Sequence, residues 1–118
     1  MAGGPLQGNA LVVAAAKASV SGEKLPDLVD RAQEYLGADL PAYARRYECV
    51  HEDQSTAVFL VDEGHWAEIG EELSLTDREW KAIRRAHAEH LKRLGDDLDR
   101  RQEFETALEV REAVVIGK

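Results

Sequence analysis

The chain has 118 residues, of which 32% are charged, and its formal net charge is -8. This length is sufficient to bury a hydrophobic core within one domain. A single cysteine, Cys49, excludes an intrachain disulfide framework or a cysteine-rich zinc site. Because Cys49 lies in an apolar run, we expect its thiol to be buried and inert.

The charged residues are mostly acidic, and most of the basic ones are arginine. Acidic residues number 23, and the basic set of 15 holds only five lysines beside ten arginines. Carboxylates hold water and cations well, whereas the methylenes of lysine are weakly hydrated. The composition is therefore typical of a protein that stays soluble in very high salt. We expect a halophilic origin, with an acidic mesophilic protein as the alternative.

The N-terminal region predicts a flexible, glycine-rich tail over residues 1–8, followed by one α+β domain over 9–118. Residues 10–19 are apolar on most sides of a helix, so this helix should be buried or paired with a second chain. The apolar run is too short to span a membrane and no positive charge precedes it, unlike a signal peptide. We expect a cytoplasmic protein without membrane contact.

Further along, a helix should begin near Pro26 and end at Gly37, and a short helical turn should follow at Pro41–Arg46. Two runs rich in aromatic and β-branched residues then predict an antiparallel hairpin over 46–62, with the polar turn "EDQS" between its strands. The second strand, "AVFLV", is apolar on both faces. That pattern indicates a central strand that helices or a partner cover on both sides.

The segment "GHWAEIGEEL" predicts a short helix. Thr76 and Glu79 then have the spacing of a capping box, which predicts a long helix from about Asp77 to Leu94, with Gly95 as its terminator. Asp96 or Asp97 can cap another helix that ends near Thr106, and a last strand should run over about 108–116, beside the hairpin. The expected fold is α+β: a small antiparallel sheet packed with four or five helices.

Helical periodicity places a buried stripe along the long helix. Its members are Trp80, Ile83, His87, Leu91, Leu94 and Leu98. His87 should therefore be a core histidine with one hydrogen-bond partner. The alternative is a metal site formed by His87 and His90, which are three residues apart. Because zinc needs three or four protein ligands and no motif supplies the others, we expect no metal and no cofactor.

The opposite side of this helix is basic. Residues 78–101 hold eight Lys/Arg against five Asp/Glu, whereas the rest of the chain holds seven against eighteen. We call five of these residues the basic ridge: Arg78, Lys81, Arg84, Arg85 and Lys92. The ridge is either a solvated or partner-pairing face, stabilised by i,i+4 ion pairs, or a surface that contacts DNA phosphates.

The DNA alternative rests on a local resemblance. Residues 67–87, "AEIGEELSLTDREWKAIRRAH", resemble a helix-turn-helix, in which the second helix enters the major groove. Ser74 stands in the turn where glycine is often found. Asp77 and Glu79 would be poor neighbours for phosphate, and the net charge of -8 opposes DNA binding.

The C-terminal part, "AIRRAHAEHLKRLGDDLDRRQEFETALEVREAVVIG", resembles small conserved proteins of haloarchaea that are grouped as a domain of unknown function. The resemblance is most specific over "EFETALEVREAVVIG" and includes "HW" at His65 and Trp66. It implies an archaeal, halophilic source and brings no activity or site residue with it.

Enzymatic signatures are missing from the sequence: it has no glycine-rich phosphate loop, nucleophile elbow or Cys-His pattern. We therefore expect a non-enzymatic interaction or regulatory module that self-associates as a dimer and whose further partner is either a protein or DNA. A helix-turn-helix DNA-binding regulator is the first alternative, and a metal- or small-molecule-binding protein is the second.

The composition generates one prediction. Thermal unfolding in low and in multimolar KCl should show a midpoint that rises with salt, because cations relieve repulsion among the carboxylates. A midpoint that is independent of KCl would contradict the halophilic origin.

Overall fold

The computed structural model describes residues 25–118, so the predicted tail over 1–8 and the helix over 10–19 lie outside the described residues. The described part is α+β, as the sequence predicts. We number its elements in chain order: α1 Leu25–Gly37, α2 Leu40–Arg46, β1 Glu48–Glu52, β2 Thr56–Asp62, α3 His65–Glu72, α4 Asp77–Leu98, α5 Arg101–Ala107 and β3 Arg111–Gly117.

The three strands form one antiparallel sheet in the order β1-β2-β3. β2 is the central strand, and its residues 56–61 are all buried. The prediction of a hairpin whose second strand is central is therefore confirmed. The chain's own elements bury both faces of "AVFLV", so this strand does not need a second chain to cover it. On β2, Phe59 pairs with Cys49 of β1 and with Val114 of β3.

α4 is the helix around which the other helices pack. Its first turn is held by the predicted capping box, since the Glu79 amide donates to the Thr76 hydroxyl and the Thr76 amide donates to the Glu79 carboxylate. Along its length α4 contacts α1, α3, α5 and β3. Ile83, His87 and Leu91 are fully buried there, which confirms the centre of the predicted stripe.

The ends of that stripe are less buried. Trp80 and Leu94 are partly covered, and Leu98 is 39% exposed, so its assignment to the core is wrong. Leu98 is the last residue of α4, where the chain turns towards α5, and none of the elements within residues 25–118 covers its side chain as Leu91 is covered. Helical periodicity predicts burial only where the surface packed against a helix extends along its whole length. The surface that the described residues pack against α4 ends before Leu98.

Gly95 does not end α4, and this prediction is wrong. The helix continues to Leu98 and ends at Asp99, which takes a left-handed conformation with φ 57°. Gly95 is instead the point where α5 approaches α4. A β-carbon there would lie 2.9 Å from the Cα of Arg101 and 3.1 Å from Cδ2 of Phe104. The absence of a side chain thus permits close packing of two helices.

Three further expectations need correction. Arg100, and not Asp96 or Asp97, precedes α5. β3 begins at Arg111 and not at 108, because the chain after α5 continues as a turn through Val110. Cys49 is exposed rather than buried. It lies on β1, an edge strand with an irregularity between Cys49 and His51, and its apolar neighbours in sequence do not cover it.

Within residues 25–118, no helix has the combination of length and apolar character that crossing a membrane would require.

Candidate functional site

The outer edge of β3 carries hydrogen bonds from side chains of three helices. Trp66 of α3 donates its indole N–H to the Ala113 carbonyl at 2.9 Å. His87 of α4 accepts the Val115 amide at Nδ1, also at 2.9 Å. Gln33 of α1 donates to the Val115 carbonyl at 2.7 Å and accepts the Gly117 amide at 2.8 Å. Side chains thus occupy positions where a fourth strand would otherwise bind.

Glu112, a buried residue of β3, fixes the start of α3. Its carboxylate accepts the Gly64 amide at 3.0 Å and the Trp66 amide at 2.9 Å. These amides belong to the first turn of the helix, where donors lack partners and the dipole favours negative charge. Gly64 takes φ 96°, a conformation that favours glycine. Glu112 gives no signal in the sequence, because a lone acidic residue near the start of a strand is usually solvated.

His87 is the core histidine that the sequence predicts. Since Nδ1 accepts the Val115 amide, the ring proton lies on Nε2, which is buried and has no hydrogen-bond partner among the described residues. The Trp66 ring packs against the imidazole with a centroid distance of 4.5 Å. Burial lowers the pKa of His87 to about 3, and the nearby His90 adds to this shift. His87 is therefore neutral throughout the physiological range.

The geometry of His87 and His90 does not favour the metal alternative. The Nδ1 atom of His87 accepts the Val115 amide and its ring is fully buried, so this side chain has no free nitrogen at an accessible position. In the described part of the chain, no three His, Cys, Asp or Glu residues are grouped closely enough to hold a metal ion.

The five residues of the basic ridge divide into two groups. Arg78 and Lys81 are exposed near the start of α4. Arg84, Arg85 and Lys92 face a cleft of about 470 Å³ between α4 and β3. Arg111 of β3 lines the same cleft, although it lies beyond the basic segment of the sequence and so could not be assigned to the basic ridge. We call this cavity the basic cleft.

The walls of the basic cleft combine charge with apolar surface. Trp80, Leu108 and Ala113 supply apolar contacts, and Glu63, Glu89 and Glu112 also line it. The guanidinium of Arg84 lies 5.3 Å from the centre of the Trp80 ring, a cation–π geometry. It also lies 3.8 Å from the Glu112 carboxylate.

Two of the acidic groups in the cleft already have partners. The carboxylate of Glu112 accepts the amides at the start of α3. Glu89 pairs with Lys92 at 3.4 Å. On the basic side, Arg111 pairs with Glu48 outside the cleft at 2.7 Å, and both side chains are substantially exposed. Arg85 is exposed and forms no ion pair with any described residue. Arg85 is therefore the cation most available to a ligand.

The segment that resembles a helix-turn-helix has a tight turn between α3 and α4. Ser74 takes φ 57°, the conformation that glycine often supplies in such turns. The two helices approach closely where Gly70 meets Trp80, since a β-carbon on Gly70 would clash with the indole. This local geometry is compatible with the motif, and it does not test whether DNA is bound.

The chain matches a known family model over nearly its whole length. The model of a family described as Domain of unknown function (DUF8048) matches residues 4–118. No curated protein and no solved structure matches the chain significantly. The expectation of an uncharacterised family is confirmed, and the haloarchaeal source stays a prediction.

The buried imidazole generates a prediction about pH. The unfolded chain binds a proton at His87 below about pH 6.5, whereas the folded chain does so only near pH 3. The contribution of His87 to folding stability is thus fully present above pH 6.5 and is lost as the pH falls towards 3. Between these two pH values the unfolded chain binds one proton more than the folded chain, which lowers the free energy of unfolding by about 1.4 kcal/mol for each unit that the pH falls.

Urea unfolding between pH 6.5 and 4 should therefore show a shallower pH dependence in His87→Gln than in the unchanged chain. His51→Gln, which removes a partly exposed histidine, serves as the control. Equal slopes in His87→Gln and the unchanged chain would contradict the assignment.

Proposed function

The chain belongs to the family described as Domain of unknown function (DUF8048), and because this family brings no activity with it, we propose from the geometry that the chain is an interaction module. Its basic cleft binds an acidic segment of a protein partner. The observation that carries this proposal is the convergence of basic side chains from α4 and β3 on one cleft in a chain of net charge -8.

The shape and lining of the cleft favour a protein segment. Its volume of about 470 Å³ accommodates a few side chains, and Trp80 and Leu108 offer apolar contacts beside the cations. Arginine and tryptophan are the residues that most often dominate binding energy at protein interfaces. The exposed pair of Arg111 and Glu48 contributes little to stability, so Arg111 can exchange Glu48 for a carboxylate of the partner.

DNA binding is the second candidate. It is favoured by the tight turn at Ser74 and by the exposure of Arg78, Lys81 and Arg85 along α4. It is disfavoured by exposed Asp77 at the start of the same helix and by the overall negative charge. The two candidates share Arg85, but Lys92 lines only the cleft, whereas Arg78 and Lys81 lie outside it. Charge reversal at Arg78 and Lys81 therefore separates the candidates.

Self-association is a separate proposal. The apolar strand "AVFLV" does not support it, because elements of the same chain bury both faces of this strand. The remaining support is the apolar run over residues 10–19, which lies outside the described residues.

The test uses two charge-reversal variants and one control. The cleft variant carries Arg85→Glu and Lys92→Glu, and the ridge variant carries Arg78→Glu and Lys81→Glu. The control variant carries Arg45→Glu and Arg93→Glu, which make the same change in net charge outside the basic cleft. Binding is measured by titration with a labelled peptide of alternating glutamate and leucine, and separately with a random-sequence DNA duplex. Both titrations use the lowest KCl concentration at which all the proteins stay folded.

We expect the cleft variant to weaken peptide binding at least about tenfold, which corresponds to about 1.4 kcal/mol, because it replaces two attractive charges with repulsive ones. The control and ridge variants should change the affinity for the peptide by no more than about twofold. Equal losses in the cleft and control variants would refute the cleft as the site. Tight DNA binding that is lost in the ridge variant would establish the second candidate instead.

A further inference from the structure

A second cleft, of about 340 Å³, lies between α1, α2 and α3, and all three tyrosines of the chain line it. Tyr35 comes from α1, Tyr43 from α2, and Tyr47 from the residue that ends α2. His65, the first residue of α3, completes the aromatic lining. We call this cavity the tyrosine cleft. It shares no lining residue with the basic cleft.

The aromatic groups form a packed floor with partly exposed edges. Tyr43 is buried and its hydroxyl lies 2.5 Å from Nε2 of His65. The rings of Tyr43, Tyr47 and His65 contact one another with centroid distances between 5.1 and 5.5 Å. Tyr35 and Tyr47 remain partly exposed, so their rings are accessible from the cleft. These ring contacts hold the floor in place.

The charge around this floor is strongly negative. Four exposed carboxylates line the cleft, from Asp39, Glu68, Glu71 and Glu72, against the single guanidinium of Arg46. Burial raises the pKa of Tyr35, and the charges of Glu72, Asp39 and Glu68 raise it further. His65 adds no positive charge near neutral pH, because burial lowers its pKa despite the nearby carboxylates.

We propose that the tyrosine cleft binds an organic ammonium ion. The electron-rich faces of tyrosine attract a cation of low charge density, and the carboxylates around the rings supply the complementary charge. A simple metal cation would favour a closed set of oxygen ligands, and no three His, Cys, Asp or Glu residues in the described part of the chain are grouped closely enough to form one. The four carboxylates would repel an anionic ligand, and a neutral ligand would gain hydrogen bonds from them without the Coulombic attraction that a cation gains. The cleft volume is within the range of small-molecule sites.

The experiment compares two probes of nearly equal shape. Choline carries a quaternary ammonium, and 3,3-dimethylbutanol replaces that nitrogen with carbon and is neutral. Each is titrated into the full chain at constant KCl, and binding is followed by the NMR shifts of the tyrosine rings. We expect choline to bind at least about fivefold more tightly than the neutral probe. Equal affinities, or no saturable shift with choline, would overturn the proposal.

Variants then locate the site and separate binding from packing. Glu72→Gln removes one exposed charge without disturbing the core, and should reduce the preference for choline. Glu34→Gln, on α1 outside the cleft, is its matched control and should leave the preference unchanged. Tyr35→Leu should abolish most of the preference, while Tyr35→Phe, which keeps the ring, should retain it. If Glu34→Gln and Glu72→Gln have the same effect, the preference reflects general charge and the proposal fails.

Discussion

The hydrogen-bonded outer edge of β3 is the constraint on which the other features depend. An edge strand leaves N–H and C=O groups that attract a further strand unless the chain covers them. Here Trp66, His87 and Gln33 provide partners for Ala113, Val115 and Gly117. Because these side chains come from three different helices, the same bonds that cover the edge also fix α1, α3 and α4 relative to the sheet. Each polar side chain must keep its geometry or leave a buried group unpaired.

The two clefts follow from this arrangement at the start of α3. Glu112 holds the first amides of α3, which places Trp66 against β3 and leaves His65 facing α2. Two adjacent residues therefore take part on both sides: Trp66 donates to Ala113, which lines the basic cleft, and His65 lines the tyrosine cleft. The two clefts carry opposite charge, and the ligands that we propose for them differ accordingly. The two clefts share no lining residue.

The opposite edge of the sheet, formed by β1, is protected in a different way. β1 has an irregularity between Cys49 and His51, and charged residues stand at both its ends. Glu48 and Glu52 pair across the sheet with Arg111 and Lys118. Bulges and charges are the usual protection of an open edge, whereas β3 is covered by helices. The contrast explains why the buried hydrogen-bonding side chains concentrate on β3.

Local signals in the sequence predicted local structure well. The capping box at Thr76 joins residues three apart, and the burial of His87 follows from helical periodicity alone. The roles of Glu112 and Arg111 could not be predicted, because their partners lie far along the chain. The prediction that Gly95 ends α4 was wrong because glycine occurs both at helix ends and where two helices approach closely, as Gly95 does here. The tyrosines are spread over α1 and α2, and only the packing of α3 against them forms a cleft.

Residue-resolved amide hydrogen exchange on the unchanged chain and on Gln33→Leu tests the central role of the β3 edge most directly. The amides of Val115 and Gly117 should exchange slowly, as interior amides do, although they face away from β2. In Gln33→Leu the Gly117 amide loses its acceptor and should exchange much faster. The Val115 amide still donates to Nδ1 of His87 and should stay protected. Rapid exchange of both amides in the unchanged chain, at the rate of an exposed edge, would contradict the account.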